Sequence, residues 1–376
     1  MTVILFIIIL GALIFVHELG HFISAKKAGI RVDEFALGFP PKVVGKKVGE
    51  TVYNLNLVPF GGYVKIFGDD ADVMSDAAVS EEDKTRSFTA KSRWIQAFVL
   101  SSGVLGNIVF AWLLISISFM SGIPSSAEGR YADNVRDPKL MITSVLPDTP
   151  AAKAGLKGGD VIVSMTEDAP KNGVRTITNR FDGYDAETAR VFIGEAKASL
   201  SIIYERAKER GTTRVTPREG IIEGKKAIGV GLDTVGMVRF NPVRAFYEGA
   251  LMTWDLLREV TVGLFGFLKQ AVMGQASLEA VVGPIGIAGL VGEARVLGFI
   301  YLLSFTAFIS INLAVINLLP IPALDGGRLL FLAIEAVIRR PIPAKFTRAV
   351  NTAGFILLIA FMLFITYREI VKLVSS

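Results

Sequence analysis

The chain has no cysteine, and only two histidines in 376 residues. The first absence excludes disulfides and thiolate metal sites. The second confines any imidazole chemistry to His17 and His21, which stand four apart in His17-Glu18-Leu19-Gly20-His21. Charge is scarce as well: 20% of residues are charged and 51% hydrophobic, with mean hydropathy +0.50. That balance excludes a soluble protein of ordinary composition and points to several membrane spans. The net charge of +5 is modest. No basic stripe of the kind nucleic acid requires is present; Lys and Arg gather at the ends of apolar runs, as topology signals do. The length leaves room for a soluble domain of roughly 100 residues or more.

What is present begins with that five-residue stretch, which continues straight out of the first apolar run, Val3 to Val16. On a helix two residues four apart share a face, ~6 Å apart along the axis. Two neutral imidazoles so placed can hold one divalent ion, and imidazole suits zinc. Glu18 follows the first ligand and can reach a metal-bound water, the logic of two ligands plus a general base. With no thiolate and no third histidine, the shell must be completed by oxygen, so the sequence requires an Asp or Glu at the same membrane depth.

The first span is expected over about Thr2 to Ser24. It lacks a basic n-region, its charges Lys26 and Lys27 follow the apolar run, and no small-residue cleavage site is evident. It reads as a retained span with its N-terminus outside. At ~1.5 Å per residue His17 lies ~22 Å into a ~30 Å core, in the cytoplasmic half of the membrane. Residues 25–94 then form a cytoplasmic-side segment. Within it, about 41–67 reads as a hairpin: Thr51 to Val58 is rich in β-formers, Pro59-Phe60-Gly61-Gly62 breaks it, and Tyr63 to Phe67 resumes it. Two readings stay open, a structural hairpin or an open strand edge that pairs with an extended substrate. Asp69 to Lys84 reads as a flexible acidic loop. The second span runs over about Trp94 to Met120 and contains Asn107, read as a satisfied helix–helix hydrogen bond.

Residues 121–240 are polar enough for a soluble domain. Met141 to Ile162 reads as strand, short helix over Ala151 to Ala154, Gly-capped end and second strand. From 241 to 295 the chain turns amphipathic, with Phe246, Leu251, Trp254, Leu257 and Leu264 at helical spacing, until Gly283-Pro-Ile-Gly-Ile-Ala288 breaks it. The third span, about Leu297 to Leu319, ends in Asn317-Leu-Leu-Pro-Ile-Pro-Ala-Leu-Asp-Gly326. Entering from outside, it brings Asp325 to the depth of His17 and His21. Pro320 and Pro322 break the helix there, and unwound backbone inside a membrane is tolerated only where protein or a cavity receives it. Asp325 is therefore the expected third ligand. Glu335 is a rival carboxylate in plainer helical surroundings. Arg339, Arg340, Lys345 and Arg348 mark a cytoplasmic loop before a fourth span over about Val350 to Thr366, ending outside.

Two resemblances follow from these residues. The 149–162 stretch, Thr-Pro-Ala-x-x-Ala-Gly-Leu-x-x-Gly-Asp-x-Ile, resembles the signature of a bacterial-type PDZ domain, with Thr149 where Ser is usual. That resemblance implies binding of a peptide or the C-terminus of a polypeptide by strand addition, with Ala227 to Leu232 as the receiving edge, or alternatively a spacer domain with an empty groove. The whole chain resembles the site-2 proteases, zinc intramembrane metalloproteases, in a single-PDZ bacterial form of the regulator-of-sigma-E type. The matching stretches are 17–21, Gly61-Gly-Tyr-Val-Lys65, 149–162, 283–288 and 317–326, in family order.

The second resemblance implies a polytopic α-helical membrane protein of four transmembrane helices, with a membrane-associated β-hairpin and an inserted extracytoplasmic α+β PDZ domain. It implies Zn2+ held by His17, His21 and Asp325, with Glu18 as base. Substrate would be clamped by Gly61, Gly62, Tyr63, Val64 and Lys65 and contacted by Asn317. It further implies single-pass membrane protein substrates already trimmed outside, such as an anti-sigma factor or a signal-peptide remnant, in the lipid bilayer of a bacterial inner membrane. Both termini would lie outside, with the active site near the cytoplasmic side. Two departures stand out. Relatives often read Gly-Pro-x-x-Asn in the second span, where this chain has Gly103-Val-Leu-Gly-Asn107, and some carry two tandem PDZ domains where one is found here. A metal transporter and a non-catalytic membrane PDZ adaptor are the rival readings. The first needs a second metal site along a path, and the second has no use for Glu18.

Overall fold

The structure is a computed structural model and describes residues 1–69, 80–168, 176–178, 185–206, 209–222, 224–275 and 281–375. In sequence order the elements are α1 (Thr2–Lys27), β1 (Val32–Val48), β2 (Thr51–Ile66), α2 (Glu81–Thr85), α3 (Arg93–Ser121), β3 (Ile123–Ser126), β4 (Arg136–Val145), α4 (Pro150–Lys153), β5 (Val161–Glu167), β6 (Thr176–Thr178), α5 (Ala186–Glu195), β7 (Leu200–Arg206), β8 (Glu209–Val215), β9 (Arg218–Ile222), β10 (Lys225–Ala227), β11 (Val230–Val238), α6 (Pro242–Val272), α7 (Pro284–Leu297), α8 (Phe299–Leu318), α9 (Asp325–Ile338) and α10 (Ala344–Ser375). They form two compact units: residues 1–117, 246–295 and 301–376 in one, 118–245 with 296–300 in the other.

Four helices, α1, α3, α8 and α10, are long and apolar enough to cross a membrane. The helix holding the fourth span is longer than its apolar stretch, because Ala344 to Val350 and Tyr367 to Ser375 continue it at both ends. Its Phe355, Ile356, Leu357 and Leu363 are exposed, as side chains facing lipid are. In the first unit, Ile9, Leu13 and Val291 are buried among Phe110, Leu302 and Phe305, which binds α1, α3, α7 and α8 together. A second cluster of Ala25, Ile30, Val32, Ile66, Val99, Leu100 and Leu332 fixes the end of α1 and the ends of the β-ribbon to α3 and α9.

The ribbon differs from the expected hairpin. β1 begins at Val32, well before residue 41, and β2 continues through Pro59 to Gly62 without a break. The register explains why. Residues 42–48 pair across a turn with 51–56, while Glu34 to Leu37 face both Val52 to Leu55 and, in the opposite sense, Lys65 to Gly62. The two long strands thus fold back on themselves, and among the described residues 62–65 has a strand partner, 34–37, on one side only. Glu50, in the turn, accepts from Lys26 Nζ at 2.5 Å and Arg86 Nη2 at 2.7 Å, tying the ribbon to the end of α1. The expected loop of 69–84 lies outside the described residues over 70–79. Lys84 belongs to α2, whose N-cap is Ser80, accepting from Asp83 N at 3.1 Å.

The second unit is built on a sheet of order β3-β11-β4-β5-β7-β8, with β6 on β5. Leu140, Ile142, Ile162, Met165, Leu200 and Ile202 from its strands meet Ala189, Phe192 and Ile193 of α5 in one core. Thr149 caps α4 and also donates to Leu146 O at 2.6 Å. Asp160, wholly buried, accepts from Arg206 Nε at 2.6 Å and Nη2 at 2.7 Å. The late strand starts at Val230, because Gly229 takes φ +85° and separates it from β10. Further on, the amphipathic stretch is one continuous helix, α6, to Val272; residues 276–280 lie outside the described residues. The 283–288 motif does not end a helix but opens one. Pro284 occupies the first position of α7, where its missing N–H is no loss.

Candidate metal centre

His17 and His21 lie on the inner face of α1 and are buried, at 9% and 7% exposure. Asp325 comes from the other end of the sequence. After α8 ends at Leu318 the backbone unwinds through Pro320 and Pro322, and Asp325 is the first residue of α9. It is thus a helix N-terminal residue, one step beyond the turn where it was expected. The turn is received by protein, as unwound backbone in a membrane must be. Ala323 N donates to Asn351 Oδ1 at 3.3 Å, and a Cβ on Gly354 of α10 would meet Pro322 Cβ at 2.6 Å. Gly326 permits the close return, since a Cβ there would fall 2.2 Å from Leu319 O.

Three donor atoms converge as a result. Asp325 Oδ2 is 3.1 Å from His17 Nε2 and 3.2 Å from His21 Nε2, and the two nitrogens are 3.3 Å apart. Tetrahedral zinc with ligand bonds of about 2.0–2.1 Å sets its donors roughly 3.3 Å apart. Donor set and spacing therefore fit that ion. Among the described residues this is the group of three or more His, Asp or Glu side chains so arranged. Space is kept for it by Gly103 of α3, where a Cβ would stand 2.3 Å from His21 Nε2 and 2.8 Å from His17 Nε2. Gly20 of α1 lets the helices close to that distance, since a Cβ there would fall 2.2 Å from Ser102 O. Below it, the hydroxyls of Ser24 and Ser102 meet at 2.7 Å.

The far ends of the rings are also held. His21 Nδ1 lies 2.8 Å from Val99 O, an atom that can only accept, so Nδ1 carries the proton and Nε2 keeps its lone pair for a metal. His17 Nδ1 faces the side-chain amide of Asn107. Glu18, on the next face of α1, stands against the ribbon: a Cβ on Gly62 would lie 3.1 Å from Glu18 Cγ and 3.0 Å from Ala36 O. Gly61 to Lys65 therefore passes beside Glu18 as the outer segment of the ribbon. Tyr63 is fixed by donating to Glu34 Oε1 at 2.6 Å.

A family model described as peptidase family M50 matches residues 5–361. The chain belongs to peptidase family M50. This is the site-2 protease family that the motifs resembled, and membership in a peptidase family sets aside the transporter and adaptor readings. A Clostridium perfringens protein named as a candidate zinc metalloprotease is 35% identical, over 99% of both proteins. The zinc metalloprotease RasP of Geobacillus kaustophilus is 30% identical, covering 99% of this protein and 98% of its own length. The regulator of sigma-W protease RasP of Bacillus subtilis is 30% identical over 99% of both.

Several residues take clearer places within this M50 protein. Glu335 is engaged elsewhere, 3.6 Å from Arg93 Nη1 and accepting from Ile342 N at 2.9 Å. Asn317 is half-buried on the last turn of α8, before the unwound segment. Asn107 makes the expected helix–helix contact, with His17 of α1, but only half of its amide is satisfied, because its Oδ1 is buried without a partner. Val99 went unnoticed in the sequence, and Gly103 was noted only as part of Gly103-Val-Leu-Gly-Asn107, without a role at the site. One contributes empty space and the other a backbone carbonyl, and neither is signalled by a side chain; the small residues Ser101, Ser102, Gly103 and Gly106 were the available hint.

Proposed function

We propose that this M50 peptidase is a zinc-dependent intramembrane endopeptidase in which His17, His21 and Asp325 hold the ion and Glu18 is the general base. The observation that carries the reading is the convergence of three donor atoms at 3.1–3.3 Å. Zinc, when bound, acidifies water and polarises a peptide carbonyl. Glu18 then takes the proton of the attacking water and delivers it to the leaving amine. A transmembrane helix hides its carbonyls in internal hydrogen bonds, so the scissile segment must first unwind. Pairing with 61–65, beside Glu18, would compensate the freed backbone groups, each worth several kcal/mol in lipid. Asn317 would contact the same segment from α8.

Lys26 and Lys27 at the end of α1, with Arg339, Arg340, Lys345 and Arg348 around the start of α10, mark one side as cytoplasmic. Four spans then leave both termini and the 121–240 domain outside, in a bacterial inner membrane. That domain reads as PDZ-like, accepting a peptide or a polypeptide's C-terminus along β11. The support is that, among the described residues, β3 pairs with β11 at Val235 to Val238, and Ala127 N with Thr234 O, with no strand on that side of 230–233. Substrates are membrane protein segments, such as a trimmed anti-sigma factor or a signal-peptide remnant.

The test is zinc content and cleavage measured together on purified protein. Glu18→Gln should keep about one zinc per molecule and cut no transmembrane substrate, while Asp325→Ala should lose the metal. Substrates stiffened with Leu and Ala around the scissile bond should be cut more slowly. Cleavage by Glu18→Gln removes Glu18 from the role of base, and full zinc in Asp325→Ala removes Asp325 from the ligand set.

A further inference from the structure

We infer that Asn107 is a positioning residue that fixes His17 in its metal-binding tautomer by presenting its amide oxygen to the imidazole Nδ1–H. The inference rests on the zinc reading above. For His17 Nε2 to act as a ligand it must keep its lone pair, so Nδ1 must carry the proton and needs an acceptor. His21 has one in Val99 O. The group facing His17 Nδ1 is the Asn107 side chain, whose Nδ2 stands 3.3 Å away. An amide nitrogen is a donor only. That contact suits an imidazole protonated on Nε2, toward Asp325 Oδ2 at 3.1 Å, a form unable to bind a cation. With the ligand tautomer it would set two donors against each other.

The same amide carries the acceptor the ligand tautomer needs. Asn107 is fully buried and its Oδ1 has no hydrogen-bond partner. The two ends of a carboxamide are nearly isosteric, so a half-turn brings the orphaned oxygen onto His17 Nδ1 and places Nδ2 where the oxygen was. The two amide orientations thus correspond to the two tautomers of His17, and zinc selects the one with oxygen inward.

The presence of only two histidines makes the test direct. Protein labelled with 15N in histidine gives signals from two imidazoles only. In zinc-loaded parent, both should show a protonated, hydrogen-bonded Nδ1. In Asn107→Leu, with the same branching but without an acceptor, one imidazole should lose the hydrogen-bonded shift of its Nδ1–H while the other stays unchanged. Zinc affinity, read by competition with a chelator, should fall about 10–100-fold. Ser310→Ala, which removes the helix–helix bond to the Asn107 backbone, should change neither. Should Asn107→Leu fail to fold, Asn107→Ala, which adds no atoms, is read in the same way. Unmoved imidazole signals with affinity within about twofold of the parent would overturn the inference, as would an equal loss in Ser310→Ala. Parent protein that takes up no zinc would overturn the zinc reading itself, and this inference with it.

Discussion

One methyl group at residue 103 is the smallest change that tests the metal centre. Gly103→Ala would place a carbon 2.3 Å from His21 Nε2 and 2.8 Å from His17 Nε2. The rings are backed by Val99 O and Asn107 and cannot both retreat. Zinc affinity is expected to fall by at least about 10–100-fold, as for other disturbed ligand supports, with cleavage lost and helix content by circular dichroism retained. Gly11→Ala on α1 is the matched control, since its Cβ would meet nothing within 4 Å; it should leave metal content unchanged. At this scale the sequence was informative wherever a side chain supplies an atom. The meeting of His17 and His21 was legible from their spacing, and that of Asp325 with them from the need for an oxygen donor at one depth. It was uninformative where the contribution is a void at Gly103, a carbonyl at Val99, or a half-turn of the Asn107 amide.

Elements are joined here by carboxylates that reach backbone or basic groups at their ends. Glu369, near the end of α10, accepts from Gly283 N at 2.8 Å, Ile285 N at 3.2 Å and Gly286 N at 3.1 Å, so a carboxylate caps α7 where its dipole is positive. Glu369→Ala should destabilise the protein by about 1.5–3 kcal/mol. The check is hydrogen exchange, which should quicken at the amides of Gly283 and of 285–287 while that of α3 is unchanged. Glu50 makes a second joint: Lys26 first, then Arg86, hold its carboxyl below the usual range. A depressed carboxylate stabilises fully above its unfolded pKa and loses that contribution as pH falls through the lower folded value. The melting temperature of the parent should therefore exceed that of Glu50→Gln at pH 7, and the gap should close as pH falls below about 4.5. Helices were well anticipated because long apolar runs have few alternatives. The ribbon was not: Pro40 and Pro41 interrupt the alternation that betrays a strand, and one strand serving two partners leaves no pattern in sequence.

On the scale of the molecule, a membrane unit carrying the metal centre is interrupted by a separately packed domain, with its own core around Ile142, Ile162 and Ile202. If that domain screens substrates outside, removing 122–238 should raise cleavage of full-length substrate toward that of a pre-trimmed one; an unchanged ratio of the two rates would show that it does not screen. The four spans and the inserted polar domain were visible in composition alone, whereas the partition of α3 and α6 between units depends on long-range packing that composition does not encode. The proposed ligands His21 and Asp325 lie 304 positions apart, and the turn before Asp325 is held by Asn351 and Gly354 of α10. In a growing polypeptide both histidines therefore precede Asp325 by most of the sequence. If those three residues hold the ion as proposed, the site closes only once residues 351 and 354 have been made and packed against the turn.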